Sequence, residues 1–156
     1  MKIKICCIAS REEAQMAIKF GADALGLVGK MPSGPGPIED DLIAFIAACI
    51  PPPVASFLLT SEQSALNIIE HAKRTGTNTV QIVDELTTGT YANIKLALPY
   101  LKLVQVIHVK DDKVLKKQCG FRRLLMRYCW TVVIPGRCLK RWVAQVIHTT
   151  GRLAGR

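Results

Sequence analysis

The chain has 156 residues, of which 49% are hydrophobic and 21% charged, enough apolar content for one folded domain with a core. This composition excludes a wholly disordered chain, and no apolar run approaches the roughly 18 residues that a membrane-spanning helix needs. The formal charge of +9 is unevenly placed: residues 1–112 hold all twelve acidic residues and carry a net −2, whereas residues 113–156 carry +11. The net positive charge of the chain therefore comes entirely from residues 113–156 and says nothing about the partners of residues 1–112.

The cysteines and the N-terminus bear on the compartment. The six cysteines form no CxxC pair and no spacing typical of a zinc site, so we expect reduced thiols and no metal. The apolar stretch of the N-terminal MKIKICCIAS is too short for a signal peptide. We therefore expect a cytoplasmic protein that has no membrane partner.

The chain opens with a strand followed by a capped helix. Lys2–Ile8 alternates lysine with isoleucine and then becomes continuously apolar, which predicts a strand entering a buried sheet. Ser10 and Glu13 form a capping-box pattern that opens a helix through about Phe20, and Gly21 occupies the position of a C-terminal cap. The later predicted elements are strand Ala24–Val28, helix Ile38–Ile50, strand Val54–Leu59, a helix beginning at Thr60–Gln63, strand Thr79–Val83, helix Tyr91–Leu98 and strand Lys102–Val109.

Five strands that alternate with four helices are typical of a parallel sheet covered by helices. An open doubly wound sheet and a (β/α)₈ barrel both fit this pattern. No GxGxxG follows the first strand and no Walker-type loop occurs, which favours the barrel. We therefore predict an α/β fold: a partial (β/α)₈ (TIM-type) barrel of about five βα units in residues 1–112, with an irregular basic tail, 113–156, that is not a domain.

The segment KICCIAS-REEAQMAIKFGADALGLV resembles the phosphoribosylanthranilate isomerase family of tryptophan biosynthesis, and the resemblance continues to about residue 112. It implies a (β/α)₈ barrel that performs an Amadori rearrangement of a sugar-phosphate substrate without a cofactor. The general base of the family, a cysteine ending strand one, falls on Cys6, and the following glycine of the family is replaced by Cys7. A basic thiol needs a cationic neighbour, and Lys4 on the same strand face is the candidate.

Two departures from the family pattern concern substrate binding. The family has S-P-R after strand two, whereas this chain has Ser33-Gly34-Pro35 and lacks the arginine. The family motif Q-L-H-G corresponds to residues 81–84, which leaves Gln81 and Asp84 as the candidate substrate-binding residues. The family's general acid, an aspartate ending strand six, is absent from this reading frame of the gene. The loops after strands seven and eight, which hold the phosphate in the family, have no counterpart. We therefore expect a truncated, impaired enzyme.

The genetic code supplies an explanation for the basic tail. If the last base of each codon is read with the first two of the next, Trp130/Thr131 must encode Asp and Trp142/Val143 must encode Gly. The surrounding junctions permit D-A-L-L-L-D-S-G-N-P and then E-E-M-G-G-T-G-H-T-H-D-W, which resemble the strand-six region and a later loop of the same family. The tail is therefore interpreted as out-of-frame translation that begins between Lys113 and Cys119.

The alternative is a non-catalytic α/β binding module with a basic arm for nucleic acid or another acidic partner. We favour the isomerase and expect no nucleic-acid partner, but do expect self-association through open sheet edges. No barrel strand in family order is expected after residue 119, although residues 132–134 could pair as a short strand. Of the histidines, His71 is expected on a helix surface and His108 in a strand, while His148 lies in the tail.

Overall fold

The computed structural model describes residues 2–109, 127–132 and 145–146, and the side chains of residues 2–106. The strands are β1 (Ile3–Cys6), β2 (Ala24–Val28), β3 (Ala55–Thr60), β4 (Thr79–Ile82), β5 (Lys102–Val109), β6 (Arg127–Val132) and β7 (Gln145–Val146). The helices are α1 (Arg11–Lys19), α2 (Asp40–Ala48), α3 (Ala65–Thr75) and α4 (Tyr91–Ala97). None of these described helices has the length and apolar character needed to cross a membrane.

The strands form one sheet in the order β6-β5-β4-β3-β2-β1-β7. Strands β1 to β5 pair with their chain neighbours in parallel, as the alternating pattern predicted. Parallel pairing places the carboxyl ends of all five strands at one edge, where barrel enzymes carry their active sites. The predicted partial barrel is confirmed.

The first helix begins and ends at the predicted signals. The Ser10 hydroxyl accepts a hydrogen bond from the Glu13 N–H at 3.1 Å, while the Glu13 carboxylate accepts from the Ala9 N–H at 2.8 Å. Gly21 has a φ of +92° just after the last turn, a conformation that costs glycine little. The predicted reciprocal cap therefore forms, shifted by one residue on its acidic side.

The sheet separates two apolar layers because successive strand side chains point to opposite faces. The larger layer lies between the sheet and the helices and includes Leu25, Leu58 and Ile68. A smaller cluster lies on the inner face of the sheet and comprises Ala24, Val28, Phe57, Leu59, Val104 and Val106. The inner face is the one that would line the interior of a barrel.

Helix α2 is shorter than predicted and buries only part of the expected stripe. It begins at Asp40, and Ile43 and Ile46 are fully buried, but Leu42 and Phe45 are 36% and 53% exposed. Helix α3 likewise begins at Ala65, several residues after the predicted start. Apolar spacing identified these helices but not their starts.

The prediction that nothing after residue 119 adds a strand in family order is wrong for β6. This strand pairs with β5 in parallel, with Val104 opposite Arg127 and Val109 opposite Val132. Its segment Tyr-Cys-Trp-Thr-Val is rich in aromatic and β-branched residues, which suit a sheet edge. Strand β7, by contrast, pairs antiparallel with β1, which no closed (β/α)₈ barrel does. Of the predicted short strand at 132–134, only residue 132 lies within the described residues.

Candidate active site

Cys6 is the last residue of β1 and packs against the inner cluster, where the resemblance places a general base. Its neighbour on β2 is Gly26, which is paired with it in the sheet register. A Cβ atom built at Gly26 would lie 2.8 Å from Cys6 Sγ, too close for two non-bonded atoms. Glycine at position 26 therefore leaves the space that the thiol occupies.

Cys7 has a φ of +62° and is the only non-glycine residue with positive φ among the described residues. This left-handed conformation favours glycine, the residue that the family resemblance has at this position. The Cys7 thiol donates a weak hydrogen bond to the Pro35 carbonyl over 3.5 Å. Burial raises the pKa of the Cys7 thiol, the nearby Cys6 thiol raises it further, and Lys4 partly offsets both effects.

Lys4 lies on the inner face of β1, two residues before Cys6, and only 2% of its surface is exposed. Its ammonium donates a hydrogen bond to the Gln81 side-chain oxygen and lies 4.6 Å from the centre of the Phe57 ring. A buried cation is costly unless paired, so these two contacts account for its tolerance there. Lys4 therefore lies on the same strand face as Cys6, and its ammonium is bound to the candidate substrate-binding residue Gln81.

A pocket of about 110 Å³ opens at the carboxyl ends of the strands. Its lining comprises Cys6, Cys7, Val28, Met31, Ser33, Gly34, Pro35, Leu59, Gln81, Val83 and Val106. A larger pocket of about 260 Å³ lies at the opposite, amino-terminal ends, where Lys2, Phe57 and Lys102 contribute to the wall. We take the smaller pocket as the candidate site because it holds Cys6 and Gln81 and lies at the catalytic edge of such sheets.

The structure brings Cys6 and Gln81 together but does not bring Asp84 to them. Asp84 is partly buried in the segment after β4 and is not among the residues that line the pocket. Its main-chain carbonyl accepts a hydrogen bond from the Gln105 side chain at 3.0 Å. Among the described residues, no group of three or more His, Cys, Asp or Glu side chains converges as a metal site would require.

The expected surface position of His71 is wrong, because this residue is 95% buried between α3, β3 and α2. One ring nitrogen lies 3.1 Å from the Thr60 hydroxyl and the other 2.9 Å from the Asp40 carboxylate. A Cβ at Gly29, which follows β2, would lie 2.6 Å from the ring. His71 therefore joins the ends of β2 and β3 to the start of α2. The sequence held no signal for it, because the partners lie on other elements.

Curated relatives of this chain are phosphoribosylanthranilate isomerases. The enzyme named N-(5'-phosphoribosyl)anthranilate isomerase 2 from Methanosarcina mazei is 32% identical over 110 residues, which are 70% of this chain and 49% of that protein. The chain spans about half the length of the curated relatives it matches. No protein-family model matches the chain.

Solved structures of the same enzyme share the fold. Phosphoribosylanthranilate isomerase from Thermotoga maritima superposes with a TM-score of 0.72 at 20% identity, over 88% of this chain and 64% of that one. A second structure of the enzyme, in complex with reduced 1-(o-carboxyphenylamino)-1-deoxyribulose 5-phosphate, gives a TM-score of 0.66 at 21% identity, over 78% of this chain and 61% of that one. About 70% of this chain is therefore similar in sequence to about half of a phosphoribosylanthranilate isomerase, and its fold is that of the solved isomerases.

Proposed function

We propose that Cys6 is the general base of a phosphoribosylanthranilate isomerase site. The observation that carries this proposal is the position of Cys6, at the carboxyl end of β1, on the inner face and in the wall of the candidate pocket. Barrel enzymes place their catalytic groups at this edge, and the curated relatives are named for this activity.

The proposed reaction converts N-(5-phosphoribosyl)anthranilate, an N-glycoside of ribose 5-phosphate, into the corresponding aminoketose. Protonation of the ribose ring oxygen breaks its bond to C1 and gives an iminium, which acidifies the proton on C2. Cys6 as thiolate removes that proton, and the electron pair forms the C1–C2 double bond of an enolamine. Protonation at C1 and loss of the proton from the C2 hydroxyl then give the ketose. Gln81 lines the candidate pocket and accepts a hydrogen bond from the buried Lys4 ammonium, so Gln81 is the polar side chain that we expect to contact the substrate.

The protonation step requires a general acid, which the family resemblance places at the end of strand six. Strand β6, Arg127–Val132, contains no acidic residue, and none follows Asp112 in the chain. Loss of a general acid typically lowers the rate by about 10²–10⁴-fold. We therefore expect the 156-residue chain to be a poor isomerase.

The out-of-frame interpretation of the tail is supported by where β6 lies. The offset reading places its forced aspartate at the Trp130/Thr131 junction, near the carboxyl end of β6. An acid there would face the same edge of the sheet as Cys6. The coding nucleotide sequence tests this idea directly, since stop codons in the offset frame would end it.

The activity test compares the 156-residue chain with a version translated in the restored reading frame. Turnover of phosphoribosylanthranilate is followed as the loss of anthranilate fluorescence. We expect little turnover by the 156-residue chain, more in the restored protein, and loss of most of that gain in Cys6→Ser. Cys49→Ser is the matched control, because Cys49 is an exposed free thiol after α2. A restored enzyme that is indifferent to Cys6→Ser would remove Cys6 as base.

The proposed compartment is the cytoplasm, and the proposed partner is the sugar-phosphate substrate. Cys6, Cys7 and Cys49 are free thiols among the described residues, and all three are at least partly accessible. Accessible thiols persist in reducing compartments, which supports this location.

A further inference from the structure

The two adjacent cysteines at the end of β1 lie on the same side of the sheet. In an extended strand, consecutive side chains point to opposite faces. Cys6 and Cys7 instead both pack against the inner cluster and both line the same pocket. The cause is the φ of +62° at Cys7, which breaks the alternation immediately after the last residue of β1.

This arrangement is costly for the backbone. A non-glycine residue in the left-handed region is less stable by about 1–2 kcal/mol. Around Cys7 the loop after β2 is close: a Cβ at Gly36 would lie 2.8 Å from Cys7 Cβ. Conformations of this kind persist where surrounding structure holds them, and they cluster at functional sites. The second thiol is thus held in the wall of the same pocket as the first by an unfavourable conformation that glycine would relieve.

A third sulfur lines the same pocket. The loop after β2 contributes Met31, which is partly buried and packs against the inner cluster with the two cysteines. The remaining lining residues include no carboxylate and no imidazole. Thiolate and thioether ligands select soft metal ions, whereas zinc sites generally need four Cys, His or carboxylate ligands. The described residues provide no cluster of three such groups.

We propose that Cys6, Cys7 and Met31 bind one thiophilic metal ion of the Cu(I) class. Binding releases two protons as the two thiols become thiolate ligands, and the thioether of Met31 donates a lone pair without losing a proton. No electron is transferred, because copper enters and remains as Cu(I). A metal held in this way occupies the sulfur of Cys6 and blocks any reaction that uses it as a base. The CxxC spacing that predicts metal sites is absent here, because the turn after β1 places two adjacent cysteines in the wall of one pocket.

The experiment is an anaerobic titration of the reduced full chain with Cu(I), in competition with the chromogenic chelator bicinchoninate. Four proteins are compared: the unaltered chain, Cys7→Gly, Met31→Leu and Cys49→Ser. Cys7→Gly removes one thiol and relieves the backbone, so it is expected to fold at least as well as the unaltered chain. Cys49→Ser is the control for an isolated thiol, and circular dichroism checks the fold of each variant.

Cysteines outside the described residues are controlled by footprinting. Iodoacetamide alkylation with and without one equivalent of Cu(I), read by peptide mass spectrometry, shows which thiols the metal protects. We expect Cu(I) to protect Cys6 and Cys7 and to leave the alkylation of Cys49, Cys119, Cys129 and Cys138 unchanged.

We expect Cys7→Gly to lose about one equivalent of chelator-resistant Cu(I), Met31→Leu to bind more weakly, and Cys49→Ser to match the unaltered chain. Unchanged binding in Cys7→Gly, or protection of the other cysteines instead, overturns the proposal. Unchanged binding in Met31→Leu removes Met31 from the site. Because the measurement requires no turnover, its failure is distinguishable from failure of the proposed isomerase activity.

Discussion

At the scale of single residues, Cys7 provides a direct test of backbone strain. Its φ of +62° is a conformation that glycine adopts freely, so Cys7→Gly should raise the free energy of unfolding by about 1–2 kcal/mol, less the small contribution of the thiol contacts. Urea denaturation measures this change. Cys7→Ala is the matched control, because it removes the thiol but keeps the strain. Equal stability of the Gly and Ala variants would show that the backbone is not strained.

His71 is a second residue whose replacement should have a large effect. Its ring is buried and contacts the Thr60 hydroxyl and the Asp40 carboxylate. His71→Ala would leave a cavity and remove the hydrogen bonds of the ring to the Thr60 hydroxyl and the Asp40 carboxylate, so we expect a loss of about 2–4 kcal/mol in unfolding free energy. Leu66→Ala on the same helix is the control, since Leu66 is 71% exposed. Similar small losses in both variants would contradict the described contacts.

At the scale of elements, Gly26 and Gly76 are required for different reasons: Gly26 leaves space for a neighbouring side chain, whereas Gly76 adopts a positive φ. A Cβ at Gly26 of β2 would meet Cys6 Sγ at 2.8 Å and Cys6 Cα at 3.1 Å, whereas one at Gly76, the C-cap of α3, would meet nothing within 4 Å. Gly76→Ala should therefore cost about 1–2 kcal/mol from its positive φ alone. Gly26→Ala should displace Cys6 and lower isomerase activity in the restored-frame protein. Activity of Gly26→Ala equal to that of Gly76→Ala would show that the thiol position is unimportant.

The Asp23 carboxylate, which precedes β2, is hydrogen-bonded to the start of β1. Its protonation should weaken these hydrogen bonds and lower the free energy of unfolding. Asp23 accepts hydrogen bonds from the Lys2 ammonium at 2.7 Å and from the Ile3 N–H at 2.8 Å. These hydrogen bonds, that of Lys2 first, lower the pKa of Asp23 below 3.8, its ordinary value. A carboxyl with a lower pKa in the folded state contributes stability that is present above 3.8 and lost as the pH falls through the folded-state value.

The measurement is urea denaturation of the unaltered chain and Asp23→Asn from neutral to acidic pH. The unaltered chain should be the more stable at neutral pH, and the difference should shrink in acid as Asp23 becomes protonated. If the difference in unfolding free energy between the two proteins does not depend on pH, then Asp23→Asn destabilises the fold by changing local packing and not by removing the negative charge.

The elements show which features the sequence could predict. Ser10, Gly21 and Gly76 act within their own turns, so their patterns located helix ends without knowledge of the fold. Strand β6 was missed because its edge pairing depends on the neighbouring β5, and a basic, aperiodic segment carries no local sign of it. His71 was misplaced for the same reason. The positive φ of Cys7 also lay beyond the sequence alone, although the resemblance to a family glycine was the available signal.

At the scale of the whole molecule, the sheet of described strands has two ends that are chemically different. Strand β6 extends the parallel order beyond β5, whereas β7 crosses β1 in the antiparallel sense for only two residue pairs. A (β/α)₈ barrel closes through parallel pairing of all its strands, whereas the described sheet ends beside β1 in an antiparallel strand. The outer side of β6 is therefore the surface through which we expect copies of the chain to associate.

Proline variants of β6 should distinguish edge pairing from other association. Consecutive strand residues direct their N–H groups alternately, so of Cys129 and Trp130, one N–H points toward β5 and the other away. Proline at the outward position removes a donor needed by an added strand, while proline at the inward position interrupts the β5 ladder. Sedimentation velocity over a range of concentrations should therefore show weaker association of the variant with the outward proline. Urea denaturation should show a lower free energy of unfolding for the variant with the inward proline. Association that is unchanged in both variants would mean that the copies meet through a different surface.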